Sequence, residues 1–186
     1  MLLGSRQVSR LTGTALLVAL TIVIDYAFKF SGLKIPFPWM STLKFDFTGI
    51  PIALSLLMYG LPSALTTSAV AFVGIVARSG DVVGAAMKFA SEFSTVLGLA
   101  IGMRLVRKLG PKITQASGTI LGIVFRVGAM SLANLAVLPA FYGLSLGVAY
   151  GMLPLIAIFN VAQGAITILF ALFIHGAIIR HLHPGS

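Results

Sequence analysis

The sequence contains no cysteine, and charged residues make up only 9% of its 186 positions. The absence of cysteine excludes disulfides, thiolate nucleophiles and thiolate-ligated metals, and it leaves the redox compartment open. The sequence also lacks a G-x-x-x-x-G-K-[ST] segment, the phosphate-binding loop of many ATPases. We therefore predict that any energy from ATP must come from partner proteins.

Histidine is also scarce. His175 lies near the end of the last apolar stretch, and His181 and His183 belong to a polar tail. These residues provide no nucleophile–base pair and no metal-ligand set inside the apolar segments. We predict that the chain is not an enzyme and interpret the two tail histidines as solvated rather than metal-binding.

What the sequence has in abundance is apolar residues. Hydrophobic residues make up 58% of the chain, and the mean hydropathy is +1.05, which excludes a soluble globule with a polar surface. The net charge of +9 fits cytoplasmic loops rich in lysine and arginine. Since no basic surface with interleaved aromatic residues accompanies that charge, no nucleic-acid partner is expected.

The apolar stretches predict a single all-α membrane domain with six spans. A crossing needs about 20 residues, and Pro62 after Gly60 splits one long stretch into two short helices. The first stretch is too long for a signal peptide and lacks an A-x-A-like site, so we expect it to be a membrane helix. The basic cluster at 104–112 favours a cytoplasmic position for that loop and for both termini. The predicted spans are 11–30, 47–59, 62–77, 83–103, 117–139 and 152–179.

Charged residues inside these spans need partners. Asp25 and Lys29 are i,i+4 neighbours, and Lys88 and Glu92 have the same spacing, so each pair can neutralise itself or contact a ligand. Arg126 has no acidic residue within four positions. Glu92, from another helix, is its predicted partner.

Amide side chains provide the strongest indication of a binding site. Asn160 and Gln163 share one helix face, and Gly164 beside them allows close approach to the backbone. Asn134 lies in a row with Arg126 and Met130, at a depth similar to that of Asn160. Amides in an apolar span usually face protein, water or a ligand. They form either a pocket wall or hydrogen bonds that join helices in a structural subunit.

The first predicted helix carries a narrow face of small residues. Ala15, Ala19 and Val23 repeat every four positions, a spacing that lets membrane helices pack closely. This ridge either contacts a partner protein or packs inside the helix bundle.

The order of several segments resembles the substrate-binding S components of energy-coupling factor (ECF) vitamin transporters, in particular the riboflavin type. Together they span most of the chain. The similar segments are Leu43-Lys44-Phe45-Asp46-Phe47-Thr48-Gly49-Ile50-Pro51, Tyr59-Gly60-Leu61-Pro62, Gly84-Ala85-Ala86-Met87-Lys88-Phe89-Ala90-Ser91, Asn134 ahead of Pro139 and Tyr142-Gly143, and Phe159-Asn160-x-x-Gln163-Gly164.

The resemblance implies a vitamin pocket near the outer face, in the plasma membrane of a prokaryote. It also implies that Ala15 and Ala19 contact a transmembrane coupling subunit, which works with two ATPase subunits. The chain departs from the riboflavin-type pattern at Gln163, where a lysine would stand. Gln163 keeps a hydrogen-bond donor but removes a charge, so a vitamin other than riboflavin remains the alternative.

The residues in these segments are compatible with a flavin. An amide offers the donor and acceptor that complement the pyrimidine edge of a flavin ring, and Asn134, Asn160 and Gln163 suit that edge. Phe37, Trp39 and Phe45 are suited both to covering a planar ring and to anchoring at the membrane interface. Asp46 fits ligand contact, but capping of the second helix is favoured.

Overall fold

The computed structural model describes residues 4–182, which form six α-helices, a short 3₁₀ helix and a two-stranded β-hairpin. Every predicted span overlaps one of these α-helices. In chain order the elements are α1 (Ser5–Phe30), β1 (Ile35–Phe37), β2 (Met40–Phe45), α2 (Gly49–Tyr59), α3 (Leu61–Ser79), α4 (Val82–Leu105), the 3₁₀ helix (Arg107–Leu109), α5 (Pro111–Tyr142) and α6 (Leu146–Leu182).

Five of the described helices, all except α2, are long and apolar enough to cross a membrane. α2 has 11 residues, about half the number that a crossing requires. Its Ile52, Ala53 and Leu56 are buried in a core shared with α3, α4 and α6. The predicted span at 47–59 is therefore a short apolar helix enclosed by its neighbours.

The helices extend beyond the apolar stretches that predicted them. Gly60 separates α2 from α3 with a φ of 88°, a conformation that favours glycine, and Pro62 lies in the first turn of α3. Pro139 lies inside α5 and Pro154 lies inside α6. Membrane helices tolerate proline when neighbouring groups satisfy the backbone carbonyl that loses its hydrogen bond. The predicted loop between the last two spans is thus shortened to residues 143–145.

The segment between the first two predicted spans contains the hairpin. β1 and β2 are antiparallel, and Ile35 pairs with Phe45 while Pro36 pairs with Lys44. Proline cannot donate to a ladder of hydrogen bonds but is tolerated at a sheet edge. The hairpin contacts α6 through β2, which places it at one end of the helix bundle.

Glycines bring α4 and α5 into close contact. A Cβ atom on Gly98 would lie 2.9 Å from Cα of Gly122, and one on Gly102 would lie 2.8 Å from Cα of Gly118. Small residues four positions apart let membrane helices pack backbone against backbone. This packing holds α4 and α5 together below the charged residues that both helices contribute to the site.

Candidate functional site

A cavity of about 790 Å³ lies between the hairpin end of α1, the loops beside the hairpin, and helices α3 to α6. Cavities of roughly 300–1,000 Å³ hold small organic ligands. All four acidic residues of the chain, Asp25, Asp46, Asp81 and Glu92, are among the residues that line it. Carboxylates are costly to bury, so Asp25, Asp46 and Glu92, which are buried, each require a partner.

The predicted pairing of Asp25 with Lys29 is wrong. The Asp25 carboxylate, which is 3% exposed, accepts a hydrogen bond of 2.8 Å from Nε of Arg78 and one of 3.2 Å from Nζ of Lys34. Arg78 lies in the last turn of α3 and Lys34 precedes β1, so both reach Asp25 from outside α1. Lys29 lies on the wall of the cavity but is exposed.

Lys88 pairs with Asp46 instead of its predicted partner Glu92. Burial would raise the pKa of the Asp46 carboxyl, but the Lys88 ammonium and hydrogen bonds from Lys88 and Thr48 lower it to about 2. Because the pKa lies below its ordinary value of 3.8, the pair stabilises the fold above about pH 4 and loses this contribution as the pH falls towards 2. The Asp46 carboxylate is therefore charged at neutral pH.

Asp46 also organises the start of α2. Its Oδ1 accepts hydrogen bonds from the backbone N–H and the hydroxyl of Thr48, at 3.2 and 2.7 Å. Thr48 immediately precedes α2. The favoured capping role is therefore not seen, because α2 begins without a side-chain cap. Asp46 instead orders the residue before α2, and its other oxygen pairs with Lys88 at the cavity.

Glu92 binds Arg126 in the interior, as the sequence predicted. Nη1 of Arg126 donates to Oε1 of Glu92 and to the Thr95 hydroxyl, each at 3.1 Å, and Nε donates to Oδ1 of Asn160 at 3.1 Å. Gly164 does not line the cavity, but a Cβ atom there would lie 3.2 Å from Cδ of Arg126. The glycine therefore makes room for the arginine rather than for a ligand.

The three predicted amides line the cavity but differ in the groups they leave free. Gln163 donates to the backbone carbonyl of Asp46 at 2.7 Å and accepts its N–H at 3.4 Å, so it fixes the loop before α2. Asn160 donates to the carbonyl of Ile156 and accepts from Arg126. Asn134 donates to the carbonyl of Met130, and its side-chain oxygen accepts no hydrogen bond within residues 4–182. Asn134 is thus the amide whose acceptor is available to a ligand.

The aromatic residues on the cavity wall come from helices rather than from the hairpin, namely Phe28 from α1, Tyr142 from α5 and Phe159 from α6. Phe159 lines the cavity, whereas Trp39 and Phe45 do not. Phe37 and Phe45 pack on Phe159 with ring centroids 5.6 and 5.0 Å apart. Trp39 contacts Phe37 and is 68% exposed. Phe37 and Phe45 therefore support Phe159 from outside the cavity.

The small-residue ridge of α1 faces outward. Ala15 and Ala19 are exposed, and Val23 is 61% exposed, while Thr14, Leu17 and Thr21 face the bundle. The ridge is therefore not packed inside the bundle. Of the two tail histidines considered in the sequence analysis, His183 lies outside residues 4–182.

No protein-family model and no curated protein sequence matches the chain significantly. A search of solved structures finds the S component of a bacterial ECF transporter, with a TM-score of 0.78 and 22% sequence identity. The similarity covers 95% of this chain and 98% of that one. The chain has the S-component fold. At 22% identity the similarity establishes the fold but not the ligand, which we infer from the residues of the cavity.

Sequence reasoning missed several charged residues of the cavity. The sequence analysis did not assign Lys34, Lys44 or Arg78 to the site, although all three line the cavity. A signal was present, because the chain has only four acidic residues against thirteen lysines and arginines. A buried acid in so apolar a protein is expected to attract a cation, and Asp25, Asp46 and Glu92 each do so.

Proposed function

We propose that the chain captures a vitamin from outside a prokaryotic cell as the S component of an ECF-type transporter, and that the vitamin is a flavin. The observation that carries the proposal is the 790 Å³ cavity lined by Asn134, Asn160 and Phe159 in a chain with the S-component fold. A phenyl ring gives a planar ligand an apolar face, and the amide of Asn134 gives its edge a hydrogen-bond acceptor.

The proposed orientation places both termini in the cytoplasm and the hairpin at the outer face. It requires that the short α2 return the chain to the cytoplasmic side. α1 and α3 run in the same direction, since Arg10 donates to Ser63 and Arg78 donates to Asp25, so α2 does bring the chain back between them. The basic segment at 104–112 then lies in the cytoplasm, where lysine and arginine accumulate in membrane proteins. The cavity lies at the hairpin end of the bundle and opens towards the cell exterior. An assembly subunit that only joins helices is the competing function, and it has no use for a cavity of this size.

Variants of Phe159 and Trp39 test whether the ligand contacts the cavity wall, because Phe159 lies on that wall and Trp39 does not. Replacing Phe159 with alanine should weaken flavin binding roughly three- to tenfold, because an aromatic contact is lost. Replacing Trp39 with alanine should change the affinity less than about twofold, since its side chain is exposed. Quenching of flavin fluorescence by the detergent-purified protein measures both affinities. Equal losses in the two variants would place the ligand outside this wall.

The exposed ridge of α1 is the proposed contact with a transmembrane coupling subunit, which works with two ATPase subunits. Ala15→Trp combined with Ala19→Trp should abolish vitamin uptake, because bulky side chains prevent close helix approach. Vitamin affinity in detergent should be unchanged, since neither residue lines the cavity. Uptake is measured in cells that supply the coupling proteins.

The matched control for the ridge is Leu16→Trp combined with Leu20→Trp. These residues are also exposed on α1, at 66% and 45%, but lie on a neighbouring face and are already large. The control should retain uptake. Normal uptake by the alanine-to-tryptophan variant would show that the ridge faces lipid only.

A further inference from the structure

The charged side chains that line the cavity do not balance. Six cationic residues lie on its wall together with the four carboxylates described above, so positive charges exceed negative charges by two. The cations are Lys29, Lys34, Lys44, Arg78, Lys88 and Arg126. In a cavity with low-dielectric walls, such an excess focuses a positive potential on the space inside.

The excess lies on one side of the cavity. Lys88 and Arg126 each have a carboxylate of their own, whereas Lys34 and Arg78 share Asp25. Lys29 and Lys44 form no ion pair within residues 4–182. Lys29 follows Asp25 by one helical turn, and Lys44 pairs across the hairpin with Pro36, two residues after Lys34. These four cations therefore converge around the end of α1 and the base of the hairpin.

The remaining carboxylate does not remove the imbalance. Asp81 accepts a hydrogen bond of 2.8 Å from the backbone N–H of Gly84 and caps the start of α4. It forms no ion pair within the described part of the chain. Its charge is directed at the positive end of the helix dipole rather than at a lysine.

A ligand that enters this cavity displaces water from the uncompensated cations. A neutral ligand would leave these charges less solvated, which is costly, whereas an anionic ligand would supply the missing counter-charge through charge-assisted hydrogen bonds. We infer that the ligand carries a carboxylate or phosphate group held by Lys29, Lys34, Lys44 and Arg78, which we call the anion subsite. This inference rests on the proposed function and narrows its substrate class.

The test compares riboflavin with riboflavin 5′-phosphate, which differ only in the charged group. The full-length protein in detergent should bind the phosphate form about ten- to a hundredfold more tightly, as expected for hydrogen bonds to charged groups. Raising the salt concentration should reduce this preference. Lys29→Gln combined with Lys44→Gln should bring the two affinities together. Lys108→Gln combined with Lys112→Gln removes two charges outside the cavity and should keep the preference.

The outcomes separate this inference from the proposed function. Riboflavin bound as tightly as its phosphate overturns the anion subsite but leaves vitamin capture standing. If neither flavin binds, the same comparison uses biotin with biotinamide and pantothenate with pantothenol. Tighter binding of the charged member then supports the anion subsite and removes the flavin, and equal binding of the two members overturns the subsite. No binding of any of these compounds contradicts both proposals.

Discussion

Replacing Glu92 with alanine should lower the free energy of unfolding by about 3–5 kcal/mol, the range found when one partner of a buried ion pair is removed. Glu92 is 2% and Arg126 3% exposed. Without Glu92 the guanidinium keeps its charge, because arginine is not deprotonated in proteins, and it retains only the Thr95 hydroxyl and Asn160 as hydrogen-bond acceptors. Equilibrium unfolding in detergent, followed by circular dichroism, measures the change.

Three further variants separate charge from packing at this pair. Glu92→Gln keeps an acceptor of the same shape and should cost less than Glu92→Ala. Arg126→Ala should also lower stability, because it removes the hydrogen-bond donor to the Glu92 carboxylate. Glu92→Met combined with Arg126→Met removes both charges and should recover much of the lost stability. A Glu92→Ala variant as stable as the parent would show that the pair is not desolvated in the folded protein.

Replacing Gly98 with alanine should destabilise the protein by about 1–3 kcal/mol, a typical cost of overpacking a filled interior. The added Cβ would lie 2.8 Å from Cβ of Phe125 and 2.9 Å from Cα of Gly122. A backbone neighbour cannot move aside as a flexible side chain can, so α4 and α5 must separate. Since Glu92 and Arg126 lie on these two helices, ligand affinity should fall together with stability.

The matched control for Gly98 is Gly128→Ala in α5, where an added Cβ meets nothing within 4 Å. Alanine is favoured over glycine inside a helix by about 1 kcal/mol, so this variant should be as stable as the parent or more stable. The same substitution is thus expected to have opposite signs at the two positions. Destabilisation of equal size at both would mean that helix packing at Gly98 is not the cause.

The helices were predictable from the sequence because apolar stretches of sufficient length have few alternatives in a membrane protein. The break between α2 and α3 was predictable from local chemistry. Glycine adopts the positive φ of a turn, and proline favours the first turn of a helix. The partnership of Arg126 with Glu92 was predicted by elimination, because Arg126 has no acidic neighbour in its own helix. Each of these inferences used short-range chemistry or a very small number of candidates.

The other two ion pairs were mispredicted because Asp25 and Lys88 bind partners on other elements and not the residue one helical turn away. Asp25 has Lys29 one turn away, yet it binds Arg78, which is 53 positions distant. Lys88 similarly binds Asp46, 42 positions away. An i,i+4 pair stabilises a helix by only about 0.2–0.5 kcal/mol. A partner on another element is therefore preferred wherever the fold brings the two charges together in a buried position.

Other features of the site depend on where the hairpin meets α6. Gln163 holds the backbone of Asp46 across 117 positions, and Phe45 packs on Phe159. The sequence indicated which residues were chemically suited to a pocket but not which of them support it from outside. Trp39 was suited to a ring contact, but it packs against Phe37 and does not line the cavity.

The most direct test of vitamin capture is the absorption spectrum of the detergent-purified protein after incubation with flavin and removal of the unbound ligand. We expect each protein molecule to retain one flavin, with quenched fluorescence, and to retain it in preference to thiamine, biotin and pantothenate. Clear retention of one of those three instead would reject the flavin. A protein that retains no small molecule would contradict capture itself and favour a structural role for the buried amides.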